Sequence, residues 1–310
     1  MFESDYKTAD KRGIRLLKCY QLMILFSIFV VGIAVTGIAG LGIKSIPGIS
    51  ERASLMLTAM LQCVLAFIIP AWLTARLSVK NQLSWLSLNV RLSWKAIVGV
   101  LIVFAVAMPA MNQLISWNES IHFPQSLQWL EDMLRRSEES AGAVSGKMLD
   151  SMNVAWMLAG VAVIGVLTGF SEEIFFRGAL QKIFMSPGHS GVAIWGAAII
   201  FSAIHFQFFG FVPRMLMGAF FGYLLYWTGS LWVAVFAHAL NNSIVVVCSM
   251  LADNGAASPT LDSLGVAAAG EVPWDAITSA AATAIFLWKF RKYFFSTAPV
   301  APSIEGKSGK

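Results

Sequence analysis

The chain has 310 residues, a length that would accommodate two soluble domains, but its composition argues against them. Residues of the Ala, Val, Ile, Leu, Met, Phe, Trp, Tyr and Cys set make up 57% of the chain, and charged residues only 13%. Soluble domains carry about 25% charged residues. So few charges cannot cover a water-facing surface, and the net charge of +5 is small. The composition predicts an integral membrane protein and argues against a secreted disulfide scaffold, a cytosolic enzyme and a nucleic-acid binder.

Apolar segments near 20 residues in length are long enough to cross a bilayer core of about 30 Å. Eight such segments are present, and they cover residues 16–43, 53–75, 96–116, 153–176, 190–209, 212–228, 231–251 and 274–290. The first follows a basic stretch, as in a signal peptide, but its apolar part is too long for one, so we expect a retained helix. Cleavage near Ala39 would leave seven spans. The sequence predicts an all-α polytopic membrane protein with about eight transmembrane helices.

The connections divide the chain into four parts. Residues 1–152 hold three spans and a long outside loop, and residues 153–251 hold the next four spans. Residues 252–295 form a second outside loop and the last span, and residues 296–310 read as a disordered tail. The mixed-charge run inside residues 117–152, flanked by tryptophans, predicts a short amphipathic helix on the membrane face.

Lysine and arginine are distributed unevenly between these connections. If the N-terminus is cytoplasmic, sixteen of the 22 Lys and Arg residues lie on the cytoplasmic side, which is the side that positive residues favour. Both termini are therefore expected in the cytoplasm. The short loops are typical of a prokaryotic protein, so we expect the cell (inner) membrane.

Two adjacent glutamates interrupt the fourth apolar segment, in the run from Gly169 to Gly178. A charge near the bilayer centre costs about 2.5–3.5 kcal/mol. Arg177 follows Glu173 by four residues, so the two share a helical face and can form an ion pair. Glu172 is rotated by about 100° from that face and needs another partner. Alternatively the span ends at Phe170 and all three charges lie at the membrane surface.

Two histidines lie inside later apolar segments. His205 is expected inside the fifth span, and His238 inside the seventh, four residues before Asn242. A lone intramembrane histidine often only bonds one helix to another. Two histidines and an asparagine at this spacing, together with Glu172, predict a functional cluster. Counting residues from the turn at Pro187-Gly188 places Glu172 and His205 within roughly 3 Å of the same depth along the membrane normal. That depth is expected in the cytoplasmic half of the bilayer.

Such a cluster suits hydrolysis of an amide. A carboxylate and a histidine in a dry pocket can together deprotonate a water, and a histidine and an amide can donate to a developing oxyanion. Zinc held by Glu172, His205 and His238 is the alternative, although the HExxH motif is absent. Residue types alone leave a metal-bound and a metal-free water equally open.

The three motifs Glu172-Glu173-x-x-x-Arg177, Phe201-x-x-x-His205 and His238-x-x-x-Asn242 resemble those of the CAAX-protease and bacteriocin-processing family. The resemblance covers about residues 153–245. It implies an eight-helix bundle with an intramembrane catalytic cavity and peptidase activity. It also implies that Glu172 and His205 activate the water and that His238 and Asn242 bind the oxyanion. Glu173 and Arg177 fit a supporting role, and the metal stays open, with zinc as the candidate.

For the eukaryotic branch of that family, the implied reaction removes the last three residues after a prenylated cysteine. The expected partners are a membrane-anchored protein or peptide substrate and the lipid bilayer, with no nucleic acid. Two other functional classes stay open. One is a bacteriocin self-immunity or scaffold protein that uses the same cavity. The other is a proton-coupled transporter in which the Glu, Arg and His residues relay protons.

Overall fold

A computed structural model describes residues 11–149, 153–186, 188–253, 263–268 and 270–297. These residues form helices and connections, without a strand among them. The ten longer helical segments are α1 (Lys11–Lys44), α2 (Glu51–Ser78), α3 (Gln82–Trp85), α4 (Trp94–Glu119), α5 (Gln128–Leu149), α6 (Val154–Phe184), α7 (Ser190–Ala203), α8 (Phe211–Thr228), α9 (Leu231–Asp253) and α10 (Trp274–Thr297). The predicted all-α polytopic membrane fold is confirmed.

The number of membrane-crossing helices is six by length and apolar character within the described part of the chain. These are α1, α2, α4, α6, α9, and α8 extended back by one short 3₁₀ turn to Phe208. The fifth expected span, 190–209, is helical only over the 14 residues of α7, or about 21 Å. The eighth expected span lies in α10, which is not one of the six. The count of eight stays a prediction.

The helices pack as neighbouring pairs around α6. Helices α7 and α8 lie against each other, α4 lies against α10, α1 lies against α2, and α9 packs along α6. A phenylalanine cluster that includes Phe67, Phe175, Phe176 and Phe201 fills the core beside α6. Large apolar side chains of α1, including Met23, are exposed on the outside of the bundle. This outward apolar surface is what a lipid environment requires.

Helix α6 is not a regular α-helix along its length. It widens into π-helical turns over Val161–Leu167 and again over Ile174–Leu180. Glu172 and Glu173 lie in the short α-helical part between them. A π-helical turn carries more residues than an α-helical turn, so it changes the direction of the side chains that follow, and such turns are frequent at functional sites. The 3.6-residue spacing used on the sequence did not anticipate them.

The C-terminal end of α6 extends to Phe184, and its polar side chains are buried. Lys182 is 8% exposed and contacts the backbone oxygen of Trp85 and Oγ of Ser87, the latter at 2.6 Å. Trp232 Nε1 of α9 donates to the carbonyl of Leu88 at 3.0 Å. The connection between α2 and α4 therefore covers the end of α6. This folded connection, rather than water, satisfies the polar groups at this end of the helix.

The amphipathic helix predicted within residues 117–152 is present as α5. Ser137 of α5 donates to the carbonyl of Phe206 at 2.8 Å, and Glu138 Oε2 accepts from the backbone N–H of Phe209 at 3.2 Å. Asn118, near the end of α4, donates to Phe208 and accepts from Val212. These bonds fix the connection between α7 and α8. Most of the second outside loop and of the C-terminal tail lies outside the described residues.

Candidate active site

Helices α6 and α9 bring together four of the six residues singled out in the sequence: Glu172, Glu173, Arg177 and His238. All four are at least nine-tenths buried. Helix α6 continues past Phe170 to Phe184, so these charges lie inside the bundle, and their depth in the membrane stays a prediction. The remaining two residues, His205 and Asn242, lie in the α7–α8 connection and one turn further along α9.

Glu173 and Arg177 form the ion pair expected from their spacing. Arg177 Nη1 lies 2.6 Å from Glu173 Oε1, and both side chains are 0% exposed. Nη2 of Arg177 donates to the carbonyl of Gly218 at 2.9 Å, and the guanidinium lies 4.5 Å from the ring centroid of Phe201. Gly218 allows this approach, because a Cβ there would lie 3.0 Å from Nη2. The pair is rigidly held and locally neutral.

His238 lies between the two glutamates. Its Nδ1 is 2.8 Å from Glu173 Oε1, and its Nε2 is 3.8 Å from Glu172 Oε2. The ring stacks on Phe221 at a centroid distance of 5.0 Å. Since 3.8 Å is beyond hydrogen-bonding distance, Nε2 and the Glu172 carboxylate can both bond to a group placed between them. The partner that Glu172 needed is thus His238.

His205 lies past the end of α7, whereas we expected it inside a span. The helix ends at Ala203, and the residues that follow turn tightly, with Phe206 at a positive φ of 52° and 77% exposed. The Nδ1 of His205 lies 2.7 Å from the carbonyl of Phe201. A carbonyl only accepts, so Nδ1 carries the proton and Nε2 of the neutral ring has its lone pair available. The Glu172 carboxylate lies within electrostatic range of this ring.

Asn242 contacts α6 rather than the glutamates. Its Nδ2 donates to the carbonyl of Ile164 at 3.1 Å, inside the first π-helical stretch. Asn241 Nδ2 donates to Asn242 Oδ1 at 3.3 Å. One N–H of the Asn242 amide remains for another acceptor. Its expected role at an oxyanion stays a prediction.

The expected depth of the site conflicts with the expected orientation of the loops. The lysine and arginine count places residues 117–152 outside, and the residue count places the cluster in the cytoplasmic half of the bilayer. The connection that carries His205 is hydrogen-bonded to α5, which belongs to that outside segment. His205 therefore lies toward the same end of the bundle as α5. It cannot lie in the cytoplasmic half of the bilayer if residues 117–152 are outside.

Two residues near the cluster were missed by the sequence reasoning. Arg214, in the first turn of α8, donates to Gln207 Oε1 at 2.9 Å and lies within electrostatic range of Glu172. Cys63 of α2 lies 3.6 Å from Thr168 and in the neighbourhood of Glu172. Arg214 could have been found, because it is a lone charge next to an apolar run. Cys63 carried no such signal.

The proposed zinc ligands do not form a metal site in this arrangement. Glu172, His205 and His238 are not brought to common ligand distances, and the described residues contain no group of three His, Cys, Asp or Glu side chains that could hold a metal ion. His238 Nδ1 is already engaged by Glu173. These side chains do not fit a three-ligand metal centre as they stand.

A catalytic cavity around Glu172 also stays a prediction. A cavity of about 610 Å³ lies elsewhere, at the end of α2. Its lining residues are Arg76, Leu77, Ser78, Val79, Lys80 and Gln82. None of them belongs to the cluster described above.

Comparison with known protein families matches the part of the chain that contains all six residues. Residues 154–244 match the Rce1-like family, described as type II CAAX prenyl endopeptidase Rce1-like. This segment is similar to the CAAX-protease family. The match spans the three CAAX-protease motifs and confirms the resemblance seen in the sequence.

A curated relative of the CAAX-protease segment is known from Bacillus subtilis (strain 168). It carries the name "Uncharacterized protein YpbD" and is 25% identical over 107 residues, which cover 33% of this chain and 50% of the relative. The chain thus spans about half the length of the curated relative it matches. No solved structure matches this chain.

Proposed function

We propose that the protein is an intramembrane endopeptidase of the CAAX type, which hydrolyses a peptide bond in a membrane-anchored protein or peptide. The proposal depends most on one observation, the placement of His238 between Glu172 and Glu173. This arrangement lies within the segment that matches the CAAX prenyl endopeptidase family.

In the first step a water attacks the scissile carbonyl carbon. The Glu172 carboxylate accepts a proton from that water, and His205 Nε2 accepts its second hydrogen bond and orients it. The C=O π electrons move to the oxygen and give a tetrahedral oxyanion. Glu172 then returns the proton to the leaving amine as the C–N bond breaks, which yields a carboxylic acid and a free amine, and the acid releases its proton to solvent.

The oxyanion is stabilised by His238 Nε2 and the free N–H of Asn242. Since Nδ1 of His238 already donates to Glu173, Nε2 can donate only when both ring nitrogens carry protons. With the imidazolium present, the cluster has no net charge, because the two glutamates balance Arg177 and His238. Arg177 and Glu173 act as positioning residues because they hold the ring in place.

The experiment is cleavage of a farnesylated CAAX reporter peptide by the purified full chain in detergent. We expect Glu172→Ala to lower kcat/KM by about 10²–10⁴, because the general base is lost. Glu139→Gln, which changes an exposed glutamate of α5, is the matched control and should cleave at the wild-type rate. Equal cleavage by wild type and Glu172→Ala would contradict the residue assignment.

The same assay addresses the metal. Each protein is assayed with and without a chelator, followed by readdition of zinc. Loss of cleavage that zinc restores would show that a bound metal activates the water, in a site rearranged from the one described. Cleavage that the chelator leaves unchanged would support activation of the water by Glu172 and His205. Absence of cleavage by wild type would argue against a prenylated CAAX substrate.

A further inference from the structure

Arg214 carries a charge that the proposed reaction does not use. It lies in the first turn of α8, is partly buried, and bonds through Nη2 to Gln207 Oε1 at 2.9 Å and through Nη1 to the Gln207 carbonyl at 3.4 Å. Both partners are neutral. Gly210 leaves room for the guanidinium, because a Cβ at that position would lie 3.0 Å from Nη2.

Among the described residues, no carboxylate lies within ion-pair distance of Arg214. Within the part of the chain that the structure describes, ion pairs shorter than 4 Å link Glu131, Glu173 and Glu51 to cations, but none includes Arg214. Arg177 and Arg135, the other arginines in polar clusters, each contact a glutamate. Removing a guanidinium from water without pairing it is costly. A ligand that brings an anionic group would offset that cost.

The position of Arg214 connects it to the candidate active site. Gln207, which orients its guanidinium, is two residues after His205. The charges of Arg214 and Glu172 lie within range of one another. An anionic group held by Arg214 would therefore lie near the connection that carries His205 and within electrostatic range of Glu172.

We propose that Arg214 binds the C-terminal carboxylate of the substrate peptide. The inference rests on the proposed peptidase function and adds to it a recognition of free chain ends. An arginine has five N–H donors in a planar fork that matches a carboxylate. Gln207 uses two of them, so the remaining donors can take a carboxylate in charge-assisted bonds.

The two acidic residues near Arg214 do not prevent this. Glu138 and Glu172 both lie beyond 4 Å from its nitrogens, and Glu138 already accepts from Phe209. Coulomb energy falls with distance, so attraction to a carboxylate in contact at about 3 Å exceeds the repulsion from either more distant one. Such a site selects a peptide whose chain ends near the scissile bond over an internal segment.

The test uses a matched pair of peptides, a farnesylated hexapeptide ending in Cys-Val-Ile-Ser with either a free carboxylate or a C-terminal amide. Binding to the full-length Glu172→Gln protein in detergent micelles is measured first, because this readout does not need cleavage. We expect amidation to weaken binding by roughly 10- to 100-fold, the loss of one charge-assisted hydrogen-bond pair. In Glu172→Gln/Arg214→Gln, both peptides should bind equally weakly.

Two further variants control for folding and for overall charge. Arg214→Lys keeps the positive charge and should retain part of the preference for the carboxylate. Arg136→Gln removes an exposed charge of α5 at the same end of the bundle and should keep the full preference. Equal binding of the two peptides by Glu172→Gln, including no binding of either, would overturn the proposal. So would a preference that survives in Glu172→Gln/Arg214→Gln.

The cleavage assay separates this inference from the proposed function. Wild type that cleaves both peptides at the same rate would leave the peptidase standing and remove the role of Arg214. Wild type that binds the carboxylate form more tightly but cleaves neither peptide would support the site and count against the peptidase. The two failures are thus distinguishable.

Discussion

The protein contains two clusters with the same composition and very different surroundings. Glu131 and Arg135 on α5 form an i,i+4 ion pair at 2.8 Å, and His122 Nδ1 contacts the same carboxylate oxygen at 3.0 Å. Glu173 and Arg177 on α6 form the corresponding pair at 2.6 Å, with His238 Nδ1 at 2.8 Å. Distances alone hardly distinguish the two clusters.

Their exposure distinguishes them. In the α5 cluster the histidine is 76% exposed and the arginine 35%, whereas in the α6 cluster all three side chains are at most 5% exposed. Water reaches the histidine and the arginine of the first cluster, although the Glu131 side chain is only 3% exposed. In the second, water does not reach the three side chains, and Glu173 Oε2 and Arg177 Nε are buried without a hydrogen-bond partner. Identical local geometry thus anchors a surface helix in one case and holds an intramembrane histidine in the other.

The largest expected effect comes from removing the arginine of each cluster. Arg177→Gln leaves Glu173 as a buried, unpaired charge and should lower the free energy of unfolding by about 3–5 kcal/mol. Arg135→Gln, the matched change on α5, should cost about 0–1 kcal/mol because it is partly exposed. Denaturant titration of both purified variants measures the two values. Similar losses in the two variants would show that burial does not separate the clusters.

The histidines should differ in activity rather than in stability. His238→Ala removes a donor to the oxyanion and should lower kcat by about 10²–10³ on the reporter peptide. His122→Ala, which truncates the exposed histidine of α5, should leave kcat within twofold of the wild-type value. Comparable kcat values for the two variants would argue against the assigned role of His238.

Glycine-to-alanine substitutions should have opposite effects on stability in the two regions. In Gly218→Ala the new methyl group would lie 3.0 Å from Arg177 Nη2 and from the ring of Phe201, and we expect a loss of about 1–3 kcal/mol from overpacking. Gly146→Ala on α5 meets nothing within 4 Å, and it should stabilise by about 0.4–1 kcal/mol. Thermal unfolding of the two variants tests this, and a stabilised Gly218→Ala would mean that Arg177 and Phe201 can move aside.

The smallest effect is a pH dependence confined to α5. The backbone N–H of Phe123, with His122 and Arg135, holds the pKa of Glu131 down at about 2, against about 4.3 for an unperturbed glutamate. A lowered carboxyl pKa stabilises the folded state above the unperturbed value, and that contribution is lost as pH falls toward 2. The difference in Tm between wild type and Glu131→Gln should therefore be constant above about pH 5 and vanish near pH 2. A difference that persists at pH 2 would contradict this origin.

Local features of the two clusters could be predicted from the sequence. The pairing of Glu173 with Arg177 depends only on their four-residue spacing along one helix, and the amphipathic nature of α5 is visible in its residue order. Both expectations hold in the structure. Predictions that depend on one element alone need no tertiary information.

Features that depend on two elements, or on irregular backbone, could not be predicted in this way. The contact of His238 with both glutamates requires the packing of α9 on α6, and the π-helical stretches of α6 leave no periodic signal. His205 was expected inside a helical span, but α7 stops at Ala203, and Ser202 Oγ donates to the carbonyl of Phe211 in the next helical segment. That bond joins residues in two different helical segments.

The spacing of the α6 cluster along the chain also orders the events of membrane insertion. The Glu173–Arg177 pair is complete within four residues, so α6 can enter the bilayer with that charge already compensated. His238 follows Glu173 by 65 residues, and α7 and α8 must be synthesised before it emerges. Until then Glu172 lacks the histidine of α9 that lies 3.8 Å from its carboxylate in the folded protein. During biogenesis α6 is therefore fully stabilised in the lipid only after α9 has been synthesised and has packed against it.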